Sequence, residues 1–151
     1  MISHIRTLGV AVVVLAISTS VKSADPQEAR SRNRSPVCVV VQAEYQALAP
    51  PGSTEVCLSV RGKDPPRDTL RKLREGSIKI EAGSVCTRQP HGILISVEKL
   101  TRGRGKADAV VESMDMNLGD SHFATLLRRG VYHLTLTKGV WSVESYTPSS
   151  K

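Results

Sequence analysis

The stretch Val131-Tyr132-His133-Leu134-Thr135-Leu136-Thr137-Lys138-Gly139-Val140-Trp141-Ser142-Val143-Glu144-Ser145-Tyr146 holds the only tryptophan of the chain and its clearest periodic signal. Tyr132, Leu134 and Leu136 recur at every second position, Thr137-Lys138-Gly139 interrupts, and Trp141 and Val143 resume the alternation. This is the pattern of a β-hairpin with one buried face. Gly139 supplies the positive φ that a short hairpin loop needs. The reading predicts Leu134, Leu136, Trp141 and Val143 inside a core.

Upstream, Gly92 to Leu100 and Ala107 to Met116 read as two more strands. Between them lies Thr101-Arg102-Gly103-Arg104-Gly105-Lys106. Its two glycines and its cations Arg102, Arg104 and Lys106 make it a candidate anion-binding loop. A phosphate-binding loop, however, places four residues between its glycines, follows with Lys and Ser or Thr, and opens a helix. Here the glycines are two apart and a strand follows, so a plain hairpin turn is the simpler reading.

The segment before these strands alternates helix and strand. Val37, Val40, Val41, Tyr45 and Leu48 fall three and four apart, which predicts an amphipathic helix over Val37 to Ala49 with Gln42, Glu44 and Gln46 largely on its other side. Pro36 suits its first turn, and Pro50-Pro51-Gly52 ends it. Glu55 to Arg61 reads as a short strand. Asp64-Pro65-Pro66 opens a second helix that carries Leu70 and Leu73 inward, displays Arg67, Arg71, Lys72 and Arg74, and closes at Glu75-Gly76. Ala82-Gly83-Ser84-Val85-Cys86 reads as a turn of small residues, and Asn117 to Gly130 as a long connection with Phe123, Leu126 and Leu127 available to cover an open end of the sheet. The predicted fold is α+β: one or two helices on a curved antiparallel meander of about four to five strands.

Ahead of the domain, His4 and Arg6 precede an apolar run from Leu8 to Ile17 and then the small residues Ser18, Ser20, Ser23 and Ala24, the three-part plan of a secretory signal peptide. The run is shorter than the roughly 20 residues of a spanning helix. The organisation expected is a signal peptide over 1–23, a flexible basic arm over 24–36 carrying Arg30, Arg32 and Arg34, one domain over 37–147, and a short tail over 148–151. Counted from Ala24, the chain has 128 residues with 19 basic and 14 acidic side chains, a mild excess that favours solubility without dictating a partner. A secreted or periplasmic location follows, with no membrane-spanning segment in the mature chain.

In that compartment three cysteines permit one bridge. Cys57 and Cys86 form the expected pair because each lies in or beside an extended segment, whereas Cys38 starts a helix. The other reading is three buried thiols. No Cys-x-x-Cys or Cys/His spacing points to zinc.

The order of elements, with Asp64-Pro65, the leucines of the second helix, Ser84-x-Cys86, Ala109-Val110-Val111 and Gly139-Val140-Trp141-Ser142-Val143, resembles small uncharacterised exported bacterial proteins. More distantly, a helix against a curved antiparallel sheet ending in Gly-x-Trp resembles the cystatin-like and NTF2-like superfamily, whose members include enzymes, binders and inhibitors. Inhibitors of the cystatin type carry Gln-x-Val-x-Gly. The nearest string, Val41-Gln42-Ala43-Glu44-Tyr45, lacks both the Val and the Gly.

Acid-base candidates are Asp108, Glu112, Asp115, Asp120, His122 and His133. Asp120-Ser121-His122 sets three catalytic residue types side by side, but a triad converges from separated positions, so adjacency itself says little. His91 and His122 lack partners at ligand spacing, and Cys86 is a nucleophile only if unbridged. The few aromatics are not interleaved with cations, which disfavours nucleic-acid binding. The expectation is a non-enzymatic domain that binds a small molecule or a protein without a cofactor. The alternatives are a hydrolase using Asp120 and His122 with a sheet carboxylate, and a weak binder of anionic polymers.

Overall fold

A computed structural model describes residues 35–118 and 123–150. The expected signal peptide, nearly all of the expected basic arm and the candidate loop residues Asp120 and His122 lie outside the described residues. In chain order the elements are α1 (Pro36–Leu48), β1 (Val56–Val60), α2 (Arg67–Glu75), β2 (Ile80–Ala82), α3 (Gly83–Arg88), β3 (Ile93–Arg102), β4 (Lys106–Asp115), β5 (Thr125–Thr137) and β6 (Val140–Pro148).

The strands form one six-stranded sheet in the order β2-β1-β3-β4-β5-β6. β1 pairs in parallel with both β2 and β3, and the remaining neighbours are antiparallel. This corrects the predicted antiparallel meander of four to five strands: among the described residues the sheet is mixed, has six strands and dominates three small helices. The extra strand is β2, whose three residues carry no periodicity of their own. The third helix, α3, replaces the turn expected at Ala82 to Cys86.

Two crossovers explain where the helices sit. A connection between parallel strands is right-handed, and the chain steps from β1 outward to β2, then back past β1 to β3. Reversing the direction of travel puts the two connecting helices on opposite faces. The main core contains Leu70 and Leu73 of α2 with Val40 and Val41 of α1, against Val56, Leu58, Ile80, Ile95, Val97, Ala109, Val111, Tyr132, Leu134 and Trp141. On the other face a smaller cluster joins Cys57 and Leu94 to Cys86 of α3. β1 is consequently buried on both sides, which is why Val56-Cys57-Leu58 does not alternate.

Local chemistry fixes the ends. Ala49, in the left-handed region, terminates α1 and donates its N–H to the carbonyl of Tyr45. Asp64 does not cap α2, which starts after Pro66 without a side-chain cap. It reaches twenty residues on, where the N–H and hydroxyl of Ser84 donate to its two carboxylate oxygens at 2.8 and 2.7 Å. Those two bonds hold the Asp64 carboxyl below its usual range, the hydroxyl bond being the stronger cause. Gly83 allows α3 to lie on β1, since a Cβ there would stand 3.0 Å from the carbonyl oxygen of Leu58.

The final hairpin forms as expected, turning at Lys138 and Gly139 with φ of 51° and 79°, the pattern of a two-residue turn with both residues at positive φ. Its burial is narrower than predicted. Tyr132, Leu134 and Trp141 are buried, but Leu136 and Val143 are 39% and 37% exposed. Leu136 stands at the turn end of the hairpin and Val143 on the edge strand β6, where the sheet has no further neighbour. Arg128, Arg129 and Gly130, read as part of a connection, belong to β5.

Candidate ligand cleft and polar clusters

The free edge of β2 is blunted by α2. Arg74 Nε donates to the carbonyl of Ile80 at 2.9 Å, and Arg74 Nη2 pairs with Glu81 at 2.6 Å. An edge strand occupied in this way offers less backbone for a stray strand. Beside it opens a cleft of about 890 Å³, shaped by the Gly52-Ser53-Thr54 loop after α1, the Ser77 to Glu81 segment and α3. Ile78, Ile80 and Val85 lie in its walls, the two isoleucines almost wholly buried, and Glu55, Arg74, Lys79 and Glu81 put charge around them.

Glu55 also marks a second feature. His91 Nε2 lies 2.8 Å from Glu55 Oε2, both side chains are half-buried, and His91 Nδ1 contacts the carbonyl oxygen of Gln89. Hydrogen bonding to Glu55, then to Gln89, raises the pKa of His91 above its ordinary value. The chain arrives there through Gly92, whose φ of +74° and close approach to the Glu55 carbonyl exclude a Cβ. Next to Glu55, Cys57 and Cys86 are joined in a disulfide with both residues fully buried, as expected from sequence. Cys38 is a buried thiol on α1, on the opposite face of the sheet.

The most deeply buried charge is Glu44, 1% exposed, although its helix face reads as solvent-directed in the sequence. Ser113 Oγ and the Tyr132 hydroxyl each donate to its carboxylate at 2.7 Å. Arg128 Nε stands 3.2 Å away, within ion-pair reach but not aligned as a hydrogen bond. The guanidinium lies 4.0 Å from the centre of the Tyr146 ring, which in turn packs 4.7 Å from Tyr132. Burial, reinforced by Glu44, pushes the Tyr132 phenol well above the ordinary tyrosine range. A carboxylate so placed is held by partners instead of water, and this network pins α1 to β4 and β5. A sequence signal existed: Glu44 lies three and four residues after Val41 and Val40, on the apolar stripe itself.

Among the sheet candidates, Asp108 and His133 do come together. Asp108 Oδ1 is 2.8 Å from His133 Nδ1, and His133 Nε2 is 3.1 Å from Thr147 Oγ1, a row across β4, β5 and β6. The order of groups matches a nucleophile, a base and an orienting carboxylate. Yet the row stands on the uncovered face, with Asp108 58% exposed, and Asp108, His133 and Thr147 line none of the clefts described in this structure. It reads as cross-strand pairing that ties three strands together. Glu112 pairs with Arg129 at 3.4 Å on the same strands.

The basic features are largely neutralised. Arg71 pairs with Asp68 and Glu75, and Lys72 with Asp68, at 2.5 to 2.7 Å. At the tip of the β3–β4 hairpin Lys106 pairs with Glu144 at 3.3 Å, and Arg102 and Arg104 are exposed around a turn closed by a Gly103 to Lys106 backbone bond. Among the described residues no helix is long and apolar enough to cross a membrane. No family model, curated protein or solved structure matches this chain.

Proposed function

We propose that this chain is an exported binding domain that holds a small organic ligand in the cleft beside β2 and performs no chemistry on it. The observation that carries the reading is the cleft itself. At about 890 Å³ it falls within the range of small-molecule sites, roughly 300–1,000 Å³, and it combines apolar walls with a few charged groups in the manner of such sites. Val85 and the aliphatic stems of Arg74 and Lys79 would cover the apolar body of a ligand. Lys79, which is exposed, and the Arg74–Glu81 pair would select its polar substituents.

Export is supported by the apolar leader in the sequence and by the Cys57–Cys86 bridge, which suits an oxidising compartment. A hydrolase reading gains little from the Asp108–His133–Thr147 row, because a substrate there would have no enclosing wall.

The test is a screen of small amphiphilic molecules by thermal shift, repeated on Ser53→Trp, which fills the cleft mouth from an exposed loop position, and on Lys79→Glu. The proposal expects ligands of the wild-type chain to lose binding in Ser53→Trp and anionic ones to weaken in Lys79→Glu. Binding that survives Ser53→Trp unchanged would remove the cleft as the site.

A further inference from the structure

Beneath the inner wall of that cleft, the carboxylate of Glu55 and the sulfurs of Cys57 and Cys86 all lie within 4.8 Å of one another. His91 Nε2 approaches the same carboxylate to 2.8 Å. Two sulfurs, one carboxylate oxygen and one imidazole nitrogen are a tetrahedral zinc ligand set. With metal bonds of about 2.0–2.3 Å, the ligand atoms of such an ion stand roughly 3.3–3.8 Å apart, so the sulfurs must part on reduction and the His91 ring, which stands outside the set of atoms within 4.8 Å of one another, must swing toward them.

The histidine is already oriented as a ligating imidazole would be. Its Nδ1 faces the carbonyl oxygen of Gln89, which can only accept, so the Nδ1 proton is directed there. Its Nε2 faces a second acceptor, the Glu55 carboxylate. Two acceptors this close cannot face one another without a positive particle between them. A proton fills that position in the imidazolium, and a metal ion fills it when Nε2 presents its lone pair. A histidine whose other nitrogen is oriented by a backbone carbonyl is the usual arrangement of a zinc-ligating imidazole. Glu55 and His91 are half-exposed, which gives an ion a path from solvent, while the sulfurs are closed off behind them.

We propose that reduction of Cys57–Cys86 converts this cluster into a Zn²⁺ site formed by Cys57, Cys86, Glu55 and His91. In the disulfide the sulfurs are neutral and bonded to each other, and the site is closed to metal. A dithiol reductant delivers two electrons and two protons: the S–S bond breaks, two thiols form, and the reductant becomes its own disulfide. Zinc then displaces both thiol protons to solvent as two Zn–S bonds form, and takes its remaining bonds from the Glu55 carboxylate and the neutral His91 Nε2. The exchange substitutes one cross-link between β1 and α3 for another, so the reduced chain keeps its fold at this face only with metal bound. The inference does not depend on an organic ligand occupying the cleft.

The test uses the full exported chain with Zn²⁺ and Co²⁺ as probes, oxidised and after reduction. Expected is one zinc per reduced chain, none per oxidised chain, thiolate-to-cobalt charge-transfer absorption in the reduced form, and recovery of the melting temperature lost on reduction. Glu55→Gln and His91→Ala should weaken zinc by more than the roughly 10- to 100-fold that loss of an outer-sphere partner costs, and Cys38→Ser should leave it unchanged. A reduced chain that takes up no zinc overturns the proposal. So does one that unfolds and is not restored by zinc, or one whose affinity is indifferent to Glu55→Gln and His91→Ala.

Discussion

Around β1, β2 and the start of β3 the sheet is covered on both faces, by α1 and α2 on one side and by α3 on the other, whereas β4, β5 and β6 are covered on one face only. The antiparallel half therefore alternates buried and exposed residues, as in Lys106 to Ser113, and meets water with paired polar rows such as Asp108–His133–Thr147 and Glu112–Arg129. The parallel half is built from shorter pieces held by long-range ties: the disulfide, the Asp64–Ser84 bonds and the Arg74 clasp on β2. It is also where the chain leaves a cleft and gathers sulfur, carboxylate and imidazole. On the function proposed above, the difference separates a scaffold from a binding edge.

The largest expected effect comes from cutting the tie that defines that edge. The bridge closes a loop between residues 29 apart, and chain entropy assigns such a loop about 3–4 kcal/mol. Replacing Cys57 and Cys86 with alanine should lower stability by about that amount, with hydrogen exchange accelerating first in β1, β2 and α3. Uniform acceleration through β4 to β6 would show that the halves do not open separately.

Glu44→Ala tests the other half. Loss of a buried carboxylate strands Tyr132, Ser113 and Arg128, and should cost about 3 kcal/mol. The loss should be global, since this network ties α1 to both β4 and β5. A cost below about 1 kcal/mol in denaturant melts would mean that the apolar contacts of α1 suffice without it.

A smaller effect follows from Tyr132. Its folded pKa is raised, so above the ordinary tyrosine pKa of about 10 the unfolded chain releases a proton that the folded chain keeps. Stability contributed below that pH is lost as pH rises further. Wild type should weaken from about pH 10 upward, and Tyr132→Phe, already less stable at neutral pH, should lose part of that alkaline slope. Smallest of all, His133→Ala breaks an exposed row and should change stability by no more than about 0.5 kcal/mol. A loss of several times that amount would promote the row from surface pairing to part of the frame.

How far the sequence is legible follows the same division. The helix over Pro36–Leu48, the helix over Arg67–Glu75, the long strands and the Lys138–Gly139 turn declare themselves by periodicity and by the prolines and glycines at their ends. β2 and α3 do not. Three residues of β2 owe their conformation to β1, and six residues of α3 are held by a carboxylate twenty positions away and a sulfur twenty-nine away. No window of sequence contains those causes. Leu136 and Val143 fit the alternation but lie at the turn end of the hairpin and on the edge strand, and Glu44 fits the apolar stripe while being charged, so polarity and period gave opposite answers and period prevailed. The Glu55–His91 contact joins residues 36 apart that the parallel pairing of β1 with β3 brings together, which spacing within one element cannot reveal.

The measurement that tests the account most directly is amide chemical-shift mapping of the oxidised chain against a fragment set. The account predicts that perturbations gather at Gly52 to Glu55 and Ser77 to Glu81, with the uncovered face of β4, β5 and β6 silent. Fragments that collect instead around Asp108, His133 and Thr147 would contradict it, and would move the working surface to the half described here as scaffold.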